Sequence, residues 1–141
     1  MPDLIRVHGL RELKRTLRRI DRGAPKGLRL AGNKAAQIVV DSAKPRVPLG
    51  PPQGGHAKSS IRAASTTSAA RVRAGGARFP YYPWLDFGGR VGRKNSVHRP
   101  FLKTGRYIWA AFAQERDRVE RVLRDELVDV AERAGARVRG G

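Results

Sequence analysis

Ser59-Ser60-Ile61-Arg62-Ala63-Ala64-Ser65-Thr66-Thr67-Ser68-Ala69-Ala70-Arg71-Val72-Arg73-Ala74 is where the hydrophobic period of this chain changes. Ile61 and Ala63 fall on one side of an extended chain and Arg62 on the other, so Ser59 to Thr67 reads as a strand. Arg71-Val72-Arg73-Ala74 alternates cleanly and predicts a second strand after a short turn.

Outward from this segment the period becomes helical in both directions. Leu10, Leu13, Leu17 and Ile20, with Arg11, Lys14, Arg15, Arg18 and Arg19 between them, predict an amphipathic helix over 9–21 closed by Gly23. A second helix is expected over 25–44, with Pro25 near N1 and Leu28, Ala31, Ala35, Ile38 and Val39 buried. Pro45 to Ala57 holds too many prolines and glycines for either element and reads as a long exposed loop. Downstream, Tyr81 to Phe87 reads as a third extended segment and Gly88-Gly89 as a turn. Arg90 to His98 is either a fourth strand or a mobile loop. Beyond Pro100, Ile108, Phe112, Val119, Val122, Leu123, Leu127, Val130 and Ala134 keep a helical period, and the helix is expected over 100–135. Gly105 is its weak point, costing up to about 1 kcal/mol if internal. At about 1.5 Å per residue the helix reaches about 50 Å, so its end is expected to project or meet a neighbour.

The expectation is therefore one α+β domain over 1–141: a helical pair (9–44), a Pro/Gly loop (45–57), a small antiparallel sheet of about four strands (58–98) and the long C-terminal helix. Leu13, Leu17, Ile38, Ile61, Val72, Phe87, Phe101 and Phe112 are its expected core.

Charge is the most unusual property. The 141 residues carry 30 Lys+Arg against 12 Asp+Glu, a formal +18. The whole excess lies in residues 1–114, while 115–141 hold seven charges of each sign. Such a field attracts polyanions or acidic protein surfaces and is silent about fold. Arg outnumbers Lys 23 to 7, which a GC-rich coding genome explains more simply than selection for phosphate contacts. With no Cys, disulfides and thiolate chemistry are excluded, and His8, His56 and His98 stand singly without metal-ligand spacing. No apolar run approaches the roughly 20 residues of a bilayer span. Met1-Pro2-Asp3-Leu4-Ile5-Arg6 lacks a signal-peptide apolar stretch, so a soluble protein of a reducing compartment is expected.

No catalytic set emerges, and the chain is expected not to be an enzyme and to need no cofactor or metal. Asp86 is the one acid between Asp41 and Glu115, so a carboxylate pair would need distant partners. Ser59 and Ser60 lie near His56 but have no orienting acid. Gly88-Gly89-Arg90-Val91-Gly92-Arg93-Lys94-Asn95 lacks the spacing and the following helix of a phosphate loop. Arg90, Arg93 and Lys94 are instead candidates for a cationic finger on phosphates. Five of the nine aromatics fall in residues 79–87. Base stacking is one reading of them. The stronger one, given Pro80 and Pro83, is an edge strand whose alternate aromatics fill the core while the others meet another subunit, with Tyr81, Tyr82 and Trp84 as the contact candidates. Arg116, Glu120 and Arg124 belong to a mixed-charge helix face that is either solvated or sets register against a neighbour.

Three segments in order resemble the neck and tail-completion proteins (minor tail, head–tail joining) of lambda-like long-tailed phages. They are Val7-His8-Gly9-Leu10-Arg11-Glu12-Leu13; Val47-Pro48 with Gly55-His56-Ala57-Lys58-Ser59-Ser60-Ile61-Arg62; and Tyr81-Tyr82-Pro83-Trp84-Leu85-Asp86-Phe87-Gly88-Gly89 with Arg99-Pro100-Phe101-Leu102. The chain departs from that pattern at Gly54, Ala57 and Thr104-Gly105. The resemblance implies a virion component at the head–tail junction, assembled in the host cytoplasm. It also implies a homo-oligomeric ring, taken as a hexamer, around the genome channel, with other connector and tail-terminator proteins as neighbours. Non-specific DNA contact at Arg90, Arg93 and Lys94 would go with it, and no membrane. The alternative is a basic nucleic-acid-binding protein of ribosomal or nucleoid type.

Overall fold

The computed structural model describes residues 3–6, 10–48, 56–76 and 78–140. Val7, His8, Gly9 and Gly55 of the quoted motifs, and 49–55 of the Pro/Gly loop, lie outside the described residues. Helices dominate: α1 (Leu10–Ile20), α2 (Ala24–Ala43), a short α3 (Tyr82–Phe87) and α4 (Ile108–Gly140). The strands are β1 (Asp3–Arg6), β2 (Arg62–Ala63), β3 (Ala69–Arg73), β4 (Gly89–Val91) and β5 (Val97–Arg99). The protein is thus mixed helix and sheet with a long C-terminal helix.

The strands do not form one sheet. β3 is the centre of a three-stranded antiparallel sheet in the order β1-β3-β2, and β4 pairs only with β5 in a separate hairpin. β1, absent from the sequence expectation, pairs Asp3 with Arg71 and Arg6 with Ala69. On the other side Arg62 faces Arg73 and Ala63 faces Val72. The expected strand over Ser59–Thr67 shrinks to those two residues because Ala57–Ser60 turns into a 3-10 helix. The Ser59 and Ser60 hydroxyls donate to the carbonyls of His56 and Ala57, holding the backbone out of a ladder. The alternation itself holds: Ile61 and Val72 are fully buried and Arg62 is exposed.

α2 lies across this sheet on its small residues. A Cβ at Gly32 would meet the Ser65 Cβ at 2.9 Å, so helix and sheet approach as closely as backbones allow. Asn33 Oδ1 accepts the Ser65 amide at 2.8 Å, and Ser65 Oγ accepts the Arg71 amide at 3.0 Å, tying helix to strands. α4 packs along α2 and joins two apolar clusters. Ile108, Ala111, Phe112, Val119 and Leu123 enter the main one with Val39, Ile61 and Val72. Val130 and Ala134 enter a second with Leu17, Ala24, Leu28 and Ala31. Lys34 Nζ donates to Glu126 Oε1 at 2.6 Å across the two helices. α1 and α2 cover α4 as far as Ala134, and the helix runs on to Gly140.

Other expectations also fail on tertiary grounds. Tyr81 to Phe87 is not a strand; it is one and a half turns of helix with Pro83 in its first turn, where proline costs nothing. α4 begins at Ile108 rather than near 100, which puts Gly105 outside it. Within the Pro/Gly loop, Lys44–Arg46 makes a 3-10 turn, and Val47 and Ala57 are buried. Of the expected core, Leu17, Ile61, Val72 and Phe112 are buried, and Leu13, Ile38 and Phe87 only half-buried. Phe101 is 67% exposed.

Candidate functional site

The segment from α3 to the start of α4 is a knot built on one carboxylate. Asp86, 2% exposed, accepts the Arg106 amide at 2.6 Å and the Tyr107 amide at 3.1 Å on Oδ1. Its Oδ2 accepts the Tyr82 hydroxyl at 3.0 Å. The carboxylate so caps the N-terminal end of α4 from a distance, where free amides and the helix dipole favour an anion. Burial pushes the Tyr82 hydroxyl far above its ordinary value, and the charge of Asp86 and their hydrogen bond add to this. Gly105, at φ 79°, is required here, because a Cβ would collide with Asp86 Oδ1.

Two arginines fasten what lies between. The Arg106 guanidinium donates to the Asp86 carbonyl at 3.0 Å and to the Pro100 carbonyl. Arg99 Nε donates to the Leu85 carbonyl at 3.1 Å, its Nη2 to the Tyr107 hydroxyl at 2.7 Å, and its guanidinium lies 5.7 Å from the Trp84 ring centre. Trp84 Nε1 donates to the Gly89 carbonyl at 3.0 Å. Gly88, at φ 85°, lets the chain pass against the Pro100 carbonyl oxygen, where no side chain fits. The Leu102 amide closes the loop onto the Phe87 carbonyl at 2.8 Å. Because backbone groups hold residues 100–105, the Phe101 side chain is left facing water.

From this base the β4–β5 hairpin runs outward. Arg90 faces His98 and Val91 faces Val97 across it. The pleat puts the valines on the same side as Arg99 and sends Arg90 and His98 to the other. Val91 and Val97 on the hairpin, and Phe101 and Leu102 on the loop that follows it, are all exposed large apolar side chains. At the hairpin tip, Lys94 and Asn95 both take positive φ, 56° and 54°. Arg90, Arg93 and Lys94 are exposed, and none of their side chains is in an ion pair among the described residues.

The residues read as a subunit contact are distributed differently from the expectation. Tyr82, 1% exposed, belongs to the core and is unavailable to a partner. Its hydroxyl needs Asp86, and a β-strand would have put the two on the same face without the one-turn rise that brings them together. Tyr81 is half-buried with its ring 6.1 Å from Phe79, and Trp84 is half-buried as the hairpin's brace. Arg116 and Glu120 pair with each other along α4 at 3.2 Å, and Arg124 is exposed. Sequence reasoning missed the role of Asp86 and the exposure of Phe101. A lone acid inside an aromatic, glycine-flanked stretch was the available signal for the first.

Ser60 Oγ is occupied by the Ala57 carbonyl and the Gly75 amide, and Ser59 Oγ by the His56 carbonyl, so neither hydroxyl meets the His56 ring. Among the described residues no group of His, Asp and Glu side chains is arranged to hold a metal ion. Among them, too, no helix is long and apolar enough to cross a membrane. Comparison with family models, characterised proteins and solved structures finds no match for this chain.

Proposed function

We propose that the chain is a structural virion protein of the phage head–tail junction, a neck or tail-completion component that acts by oligomeric binding around the genome channel. One observation carries the reading: the hairpin and the loop anchored at its base leave Val91, Val97, Phe101 and Leu102 exposed. Burying a large apolar side chain is worth about 1.5–3 kcal/mol, so four of them supply several kcal/mol for an interface and a standing penalty without one. The occupant proposed is the next copy of the chain. Closed rings join two different patches of one subunit, and the helical layer has its own exposed apolar side chains in Leu30 and Val128. Arg116, Glu120 and Arg124 would then lie on the receiving side, and Arg90, Arg93 and Lys94 near the channel. A free nucleic-acid-binding protein of ribosomal or nucleoid type would account for the charge but not for these exposed apolar side chains.

Sedimentation velocity and negative-stain microscopy on the purified protein test this. A closed ring is expected, and Phe101→Asp should leave a monomer with the wild-type circular dichroism spectrum, melting at a lower temperature than the ring only by the stability that assembly adds. A wild type that stays monomeric at its highest soluble concentration overturns the reading. Immunogold labelling of particles that encode the protein should mark the neck between capsid and tail.

A further inference from the structure

A second cationic surface lies on α1. Leu17 is buried against α2 and α4, and Leu13, one turn earlier, is half-buried. Arg15, Arg18 and Arg19 share the outer side of the helix and Arg22 follows in the turn after it, all four exposed. These four arginines line an open cleft of about 650 Å³. Lys14, Arg15 and Arg18 line a neighbouring cleft of about 450 Å³ together with Thr67 and Ser68, on the turn between β2 and β3. Neither lining contains a carboxylate, and none of the five cations is in an ion pair among the described residues. Glu12 is on the same helix, one turn before Arg15, and Asp21 Oδ1 is engaged by the Gly23 amide at 2.9 Å.

We propose that this face of α1, with the Thr67–Ser68 turn, binds the phosphate backbone of duplex DNA. Residues 14–22, the last two turns of α1 and the turn after it, advance about 12 Å at helical rise, a length over which duplex DNA carries about seven phosphate charges. Five cations in that span match the charge density, and guanidinium forks and hydroxyls both donate to phosphate oxygens. Neither lining has an aromatic side chain for stacking on bases or an Asn or Gln for reading them, which favours a duplex bound without regard to sequence. A second copy is a poor occupant, because the chain as a whole is +18 and even its most acidic stretch, residues 115–141, balances seven acids with seven bases. The proposal rests on the function proposed above only for the choice of duplex DNA as the polyanion.

The test is fluorescence anisotropy with unrelated DNA duplexes over a salt series, alongside sedimentation velocity. Wild type should bind all duplexes alike, with affinity falling steeply in salt. Replacing Arg15, Arg18, Arg19 and Arg22 by Gln should lower the slope of log K against log salt by up to about 0.9 for each phosphate no longer neutralised, at most about 3.6 in all. The pairs Arg15→Gln/Arg19→Gln and Arg18→Gln/Arg22→Gln should each remove about half of that, and they serve if the quadruple variant folds poorly. The four Arg→Lys changes should retain most of the slope. Equal slopes in wild type and the paired variants overturn the proposal. So does tighter binding of single strands of equal length, and so does no duplex binding at low salt, which would assign the face to an acidic protein surface. Assembly is read separately, so a ring that does not bind DNA and a monomer that does are distinguishable results.

Discussion

Tyr82 and Asp86 stand one helical turn apart, and the bond between hydroxyl and carboxylate is sealed from water. Removing the carboxylate strands a buried hydroxyl and two amides at the head of α4. Asp86→Ala should therefore cost about 3 kcal/mol, seen as a lower urea midpoint at constant slope. Tyr82→Phe leaves Asp86 with both amides and should cost only about 1 kcal/mol. The two differ in pH dependence as well. The Tyr82 hydroxyl ionises less readily folded than unfolded, where its value is 10.0, so the native state retains a proton that the unfolded chain gives up. Its contribution is fully present below about pH 10 and is lost as pH rises further. Stability should fall on the alkaline side, and less steeply in Tyr82→Phe, as followed by urea titrations from pH 8 to 11.

The hairpin with the loop after it is the element whose packing departs furthest from its composition. A proline-phenylalanine-leucine run ahead of a helix suggests core, and a buried Phe101 would cost about 3–5 kcal/mol on truncation. At 67% exposed, Phe101→Ala should instead leave the stability of the isolated subunit, read from its thermal melt, within about 0.5 kcal/mol of wild type. The loss is expected in assembly. Gly88→Ala should do the reverse, because positive φ and the Pro100 carbonyl oxygen both oppose a side chain there. It should destabilise the hairpin base by about 1–3 kcal/mol and speed hydrogen exchange over 89–99.

Across the whole molecule α4 is the shared wall of two apolar clusters, with Leu127 touching both. Cutting the chain after Glu126 removes Val130 and Ala134, which cover Leu17 and Leu28. The truncated protein should keep slow exchange over β3 while α1 exchanges fast. Uniform loss of protection would mean the clusters melt as one unit. If α1 holds the DNA-binding face, the same truncation should weaken duplex binding with the hairpin intact.

Period and punctuation along the chain were enough to read α1, α2, β3, the body of α4 and the alternation at Ile61 and Arg62. The reason is local: an amphipathic repeat of 3.6 or 2 residues states its own conformation before any partner arrives. Net charge and its confinement to residues 1–114 are likewise properties of composition alone. What lies between distant residues was not legible. β1 pairs across more than sixty residues of chain, and nothing in Asp3–Arg6 names β3 as its partner. The aromatics of 81–87 carry strand propensity, yet Asp86 must reach the amides at 106 and 107, and a helical turn is what brings Tyr82 to the same carboxylate. Phe101 is apolar in any reading; it faces water because arginine and backbone hydrogen bonds anchor its neighbours first. Buried hydrogen bonds join groups wherever packing brings them together, and that choice belongs to the tertiary structure.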